Sequence, residues 1–330
     1  MEPILEVAAL SKSFPVKGLW GKAKGEVSAV KEVSFALKEQ GTLGIVGESG
    51  CGKSTLARLI LRLIEPDLGE VRFRGQNIVG LKENEMRKIR QNMQMVFQNP
   101  YSSLNPKMTI LDNVAFNLWV NGASKQEARK QAHSYLDAVG LPKSYAGRYP
   151  HSLSGGQRQR VAIARALIVE PDILIADEAV SALDKSVQAQ VLNLFQDLKK
   201  QFSLSLLFIS HDLNVVEYMS DEVMVMYLGT VVEKGPADRL YSNPYHPYTQ
   251  ALLNSAPSME VGVTTLNKHT PIAGELPSPL HPPSGCRFRT RCKFAEERCT
   301  HNVPRTTEVG QGHQVACLLY ETGHEARVVS

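Results

Sequence analysis

Residues 47 to 55 read Gly47-Glu48-Ser49-Gly50-Cys51-Gly52-Lys53-Ser54-Thr55, preceded by the apolar run Thr42-Leu43-Gly44-Ile45-Val46-Gly47 and followed by a helical stretch, Lys53 to Leu63. A strand, a glycine-rich turn and a helix, in that order, form the context that a phosphate loop requires. Its glycines let successive backbone N–H groups turn inward as an anion nest, and the helix N-terminus adds its partial positive charge. Lys53 is expected to reach the outer phosphates of a nucleotide, and Ser54 to ligate Mg²⁺. Gly47, Ser49, Gly50, Gly52 and Thr55 complete the cradle, with Cys51 as a small filler. Every position and both flanks match, so a chance glycine-rich turn is the weaker reading.

Helical and strand patterns alternate from Ile4 to about Lys234, which predicts an α/β domain on a largely parallel sheet. Ile173-Leu174-Ile175-Ala176 and Ser205-Leu206-Leu207-Phe208-Ile209 are short apolar runs of the kind central parallel strands show. Between them Val187, Val191, Leu194, Phe195 and Leu198 recur at helical spacing, with Asp184 at the N-cap. Lys125 to Val139, Gly155 to Ile168 and Ile110 to Trp119 also read as helices, so a mostly helical insertion is expected around residues 100 to 165. From Ser255 to Gly285 prolines are frequent and no period survives, which predicts an extended arm. The expected organisation is a main domain over residues 1–254 and a proline-rich, cysteine-containing extension over 255–330.

Composition excludes several classes. Of 330 residues, 43% are apolar and 21% charged, which is ordinary for a globular chain and unlike a disordered or fibrous one. The formal charge of +4 comes from 37 basic and 33 acidic residues spread evenly, so no nucleic-acid partner is expected. No apolar run approaches the roughly 18 to 20 residues needed to cross a bilayer. The start Met1-Glu2-Pro3-Ile4 has no leader pattern, so the chain is expected to stay in the cytoplasm and to borrow any membrane role from partner subunits.

A second chemical signal ends the run Ile173 to Ala176, where Asp177 and Glu178 fall at the carboxyl edge of a parallel strand. Asp177 suits a Mg²⁺ role, and Glu178 a general base that orients water. Alone the pair would be a solvated turn; beside a phosphate loop it points to a nucleotide hydrolase. A third stretch, Leu153-Ser154-Gly155-Gly156-Gln157, opens a helix with N–H groups free to hold a phosphate, although an N-cap with two spare glycines is the blander reading. With this pentapeptide the sequence resembles the ABC ATPase family, whose signature it is.

The resemblance runs from about Ile4 to the end. Gln98 in Val96-Phe97-Gln98-Asn99-Pro100 matches the family's Q-loop glutamine, a Mg²⁺ and water contact. His211 in Ile209-Ser210-His211-Asp212 matches the switch histidine at the γ-phosphate, Ser181-Ala182-Leu183-Asp184 the D-loop, and Phe14 the aromatic that stacks on adenine. One departure is Ala179, where the family usually has proline after the catalytic glutamate. The resemblance implies the ABC ATPase version of the P-loop NTPase fold, with ATP and Mg²⁺ as cofactors. It also implies head-to-tail dimers, in which Ser154, Gly155, Gly156 and Gln157 serve the partner's nucleotide.

The tail narrows the resemblance. Asn243-Pro244-Tyr245-His246-Pro247-Tyr248, Gly274-Glu275-Leu276-Pro277-Ser278-Pro279-Leu280 and Pro283-Ser284-Gly285-Cys286-Arg287-Phe288 are similar to the C-terminal extension of oligopeptide and dipeptide permease ATPases, most of all the dipeptide members. That implies a bacterial importer subunit at the cytoplasmic face of the inner membrane. Its implied partners are a second ATPase subunit in a heterodimer, two transmembrane permease subunits and a periplasmic or extracellular substrate-binding protein. Nickel and other small-solute importers share the pattern, and a regulatory nucleotide-binding subunit with weak turnover is a further alternative.

Cys286, Cys292, Cys299 and Cys317 are separated by five, six and seventeen residues, which matches neither zinc ribbons nor common ferredoxin runs. Four thiolates suit zinc or iron and His301 or His313 could replace one; four free thiols or an oxidised pair is the blander reading, less favoured than a metal for four cysteines within 32 residues of a chain with one other. The resemblance implies a [4Fe–4S] cluster on this segment.

Overall fold

The computed structural model describes residues 2–17, 23–255 and 274–321. Its contacts divide the chain into two interleaved units: Met1–Leu5, Ala36–Thr42 and Phe73–Ser210 form one, and Glu6–Phe35, Leu43–Arg72 and His211–Ser330 the other. Of the arm expected from Ser255 to Gly285, residues 256–273 lie outside the described residues.

In the first unit the strands Met93–Val96, Ile173–Asp177 and Ser205–Ile209 run parallel, with Met93 opposite Ile173 and Ile173 opposite Ser205. Every residue of the last two is buried, as their unbroken apolar character requires. The helix Lys185–Phe202 buries Val191, Leu194, Phe195 and Leu198, and Phe195 meets Phe208 edge to face at 6.1 Å. Asp184 holds its N-cap position without a side-chain bond, and Ser203 ends it in the left-handed region at φ 53°. The helices Ile110–Val120 and Lys125–Ala138 start at Thr109 and Ser124, whose hydroxyls accept from the N–H of Asp112 and Glu127. Arg129 grips Asp112 with both arms of its guanidinium at 2.6 and 2.9 Å.

In the second unit the strand Thr42–Val46 lies parallel to Glu222–Tyr227. Glu222–Tyr227 pairs antiparallel with Thr230–Pro236, which pairs with His313–Val315, which in turn pairs with Thr307–Gly310. The C-terminal segment beyond the expected arm thus adds two strands, Thr307–Gly310 and His313–Val315, to this sheet. The sheet is mixed, as expected: the pairings of Met93–Val96, Ile173–Asp177 and Ser205–Ile209 and that of Thr42–Val46 with Glu222–Tyr227 are parallel, and those of the later strands are antiparallel. A buried carboxylate anchors the addition: Glu233 accepts from the backbone N–H of Tyr245 (2.7 Å) and His246 (2.9 Å) and pairs with His313 Nε2 at 2.8 Å. Among the described residues no helix is long and apolar enough to cross a membrane.

Candidate nucleotide site

The phosphate loop leaves the buried strand Thr42–Val46 and enters the helix Lys53–Ile60. Gly47 and Gly52 have φ of 150° and 107°, and a Cβ on either would lie 2.2 Å from a backbone oxygen, that of Met226 or Ala29. No other residue fits there, so the glycines are dictated by sterics as well as by conformation. Gly52 caps the helix with no side-chain hydrogen bond, and the helix start carries partial positive charge toward the loop. Lys53 is 4% exposed, and its Nζ donates to the carbonyls of Gly47 (2.6 Å) and Glu48 (3.1 Å). Cys51 is buried, which pushes its thiol above the ordinary range and keeps it neutral packing.

In the other unit, Asp177 is buried at the end of its strand. Glu178 follows with φ 48°, a left-handed conformation rare for a glutamate, its N–H donating to Ile209 O at 2.9 Å. Ser181 closes the turn by donating its N–H and hydroxyl to the Glu178 carbonyl. Gln98 reaches across from beyond the strand Met93–Val96 and donates Nε2 to Glu178 Oε2 at 2.9 Å. Two residues separated by 80 positions, both singled out in the sequence, therefore meet. Ala179 is 2% exposed, so its methyl occupies packed space where proline is usual.

The signature stretch forms a capping box on the helix Gly155–Leu167: Ser154 Oγ accepts from Gln157 N–H, and Gln157 Oε1 accepts from Ser154 N–H. Gly156 is buried, and a Cβ there would stand 2.4 Å from Val187 Cγ1. Phe14 is half-buried on the strand Leu5–Lys17, with Lys12 Nζ 5.7 Å from its ring centroid, and His211 is exposed just past the strand Ser205–Ile209.

Cys286, Cys292, Cys299 and Cys317 are free, and all four line one cleft together with Phe288 and Pro247. Burial and the neighbouring sulfurs push Cys292 up to about 11 and Cys317 up to about 12. Ionising the set there calls for a multivalent cation, because thiols bind metal only as thiolates and the cation offsets their charge. Among the described residues, however, no three His, Cys, Asp or Glu stand close enough to share one metal ion. His313 is engaged by Glu233, and the histidine that lines the cleft is His246, held neutral by burial with a pKa lowered to about 4. The contacts of Tyr248 and Arg291 with Glu48 of the phosphate loop could not be read from the sequence: they span 200 and 243 positions and follow no local spacing.

Residues 30–181 match the ABC transporter family, and residues 232–299 match the oligopeptide/dipeptide transporter C-terminal region. The chain is 50% identical over 323 residues to the oligopeptide transport ATP-binding protein AppF of Bacillus subtilis, covering 97% of this chain and 98% of that protein. It is 48% identical over 321 residues to the dipeptide transport ATP-binding protein DppF of Escherichia coli, covering 97% and 95%. Among solved structures it is similar to a dimeric post-hydrolysis state of the ATP-binding cassette MJ0796 bound to ADP and Pi, with 31% identity, a TM-score of 0.63 and coverage of 71% of this chain and 98% of that one. The chain belongs to the ABC transporter ATPases, in the branch marked by the oligopeptide/dipeptide transporter C-terminal region.

Proposed function

We propose that the chain hydrolyses ATP to drive uptake of dipeptides or oligopeptides through an ABC importer. The observation that carries the hydrolytic part is the Gln98–Glu178 hydrogen bond, which holds a general-base candidate at a strand end. Lys53 meets the outer phosphates; Ser54, Gln98 and Asp177 would serve Mg²⁺; Glu178 orients water; His211 faces the γ-phosphate; and Phe14 stacks on adenine. Bound Mg²⁺ would neutralise charge that develops on the phosphates. Ser154, Gly155, Gly156 and Gln157 close on the nucleotide of a second ATPase subunit. The division we propose is an ATPase domain over residues 1–254, helical at about 100–165, and an extension over 255–330; the helices Ile110–Val120, Lys125–Ala138 and Gly155–Leu167 support the helical part.

The proposed setting is the cytoplasmic face of the inner membrane, with two transmembrane permease subunits and a periplasmic or extracellular binding protein. Cargo follows from the C-terminal match. Deleting the chain in its host should abolish uptake of a labelled dipeptide and a labelled oligopeptide and leave nickel uptake unchanged. Loss of nickel uptake with peptide uptake intact would move the chain to the small-solute branch.

We further propose that Cys286, Cys292, Cys299 and Cys317 hold a [4Fe–4S] cluster that pins the C-terminal segment; their shared cleft supports this reading. Anaerobically purified protein should be brown, with about four irons and broad absorbance near roughly 400 nm. A colourless protein with one zinc per chain, or with no metal, sinks the cluster and leaves the ATPase untouched.

A further inference from the structure

Glu48 occupies a variable position of the phosphate loop, yet every polar atom it carries is engaged. Its N–H donates to the Tyr248 hydroxyl at 2.9 Å. Its carbonyl accepts from Lys53 Nζ at 3.1 Å and from the Cys51 N–H at 3.2 Å. Its carboxylate accepts from both terminal nitrogens of Arg291, at 2.7 and 3.0 Å.

Tyr248 comes from the helix Pro247–Ser255 and Arg291 from the segment between Cys286 and Cys292, 243 residues beyond Glu48. These anchors are themselves packed in. Tyr248 is fully buried, the Arg291 side chain is 5% exposed, and Phe288 stands 5.3 Å from Tyr227 and 5.4 Å from Tyr248, ring centre to ring centre. Arg287 of the same segment donates to the Leu228 carbonyl, and the next residue, Gly229, donates its N–H to the Cys51 carbonyl at 2.9 Å.

A carboxylate beside an anion nest opposes phosphate binding unless its charge is cancelled locally. The two-pronged guanidinium contact cancels it and fixes the direction of the loop, which a point charge would not do.

We propose that Arg291 is a positioning residue of the nucleotide site: by neutralising and orienting Glu48 it holds the phosphate loop in its anion-accepting shape, so that the C-terminal segment sets the affinity for ATP. This rests on residues 47–55 being the nucleotide site. The test uses the full-length chain and three variants: Arg291→Gln, Arg291→Lys, and Arg291→Gln combined with Glu48→Gln. Arg291→Gln should weaken equilibrium ATP binding roughly ten- to a hundredfold, as a displaced positioning group does, and raise KM with kcat little changed. Backbone amides of residues 47–55 should exchange hydrogen faster in the nucleotide-free protein. Arg291→Lys keeps the charge without the two-pronged contact and should fall between. The double variant removes the uncompensated carboxylate and should recover much of the lost affinity. Wild-type affinity and exchange in Arg291→Gln would overturn the proposal, as would a double variant no better than the single. Failure of the wild-type chain to bind ATP would instead count against the nucleotide site itself.

Discussion

Replacing Glu178 with Gln should slow ATP hydrolysis by roughly two to four orders of magnitude, the range a positioned general base contributes, while ATP binding persists. Glutamine has the shape of glutamate and can keep a hydrogen bond to the Gln98 amide, so the 2.9 Å contact and the left-handed turn at φ 48° need not be lost. What disappears is the basic oxygen that accepts a proton from attacking water. The phosphate loop, with its own glycine geometry and Lys53, lies elsewhere in the chain and does not depend on that oxygen. Equilibrium nucleotide titration beside single-turnover phosphate release separates the two effects. If binding is lost while turnover per bound nucleotide is unchanged, Glu178 is not the base.

The parts of the fold and site that could be read from the sequence are those in which a local rule leaves few options. Gly47 and Gly52 sit where a Cβ would strike backbone oxygen, so the phosphate loop appears as glycines at fixed spacing. The strands Ile173–Asp177 and Ser205–Ile209 are wholly buried and therefore wholly apolar up to their ends. Ser154 and Gln157 cap a helix reciprocally, which a three-residue spacing already encodes.

What was not legible depends on distance or on conformation without a residue preference. The strands Thr307–Gly310 and His313–Val315 have four and three residues, too few for an alternating pattern. Glu233 is 1% exposed, although glutamate in a strand ordinarily faces solvent; its burial makes sense only once two N–H groups and His313 converge on it from later in the chain. The positive φ of Glu178 is imposed by the surrounding turn, because glutamate itself does not favour it.

Gly156→Ala should lower hydrolysis about a hundredfold, the cost of a displacement of about 1 Å in a positioned group, and leave ATP binding by the isolated chain intact. The new methyl would stand 2.4 Å from Val187 Cγ1. Val187 is β-branched and lies in the helix Lys185–Phe202, so its side chain has one strongly preferred rotamer and cannot simply swing aside. The start of the helix Gly155–Leu167 must shift instead, taking the Ser154–Gln157 capping box with it. If that helix start serves the nucleotide of the partner subunit, the defect acts in trans, and a tandem fusion of two copies shows it once the unmodified fusion is seen to hydrolyse ATP. With Lys53→Ala in one half and Gly156→Ala in the other, both defects fall on the same composite site and the second site stays whole, so activity should survive at about half. With both substitutions in one half, each composite site carries one defect and activity should vanish. A signature acting on its own chain's nucleotide gives the reverse pattern, because the unmodified half would then work alone.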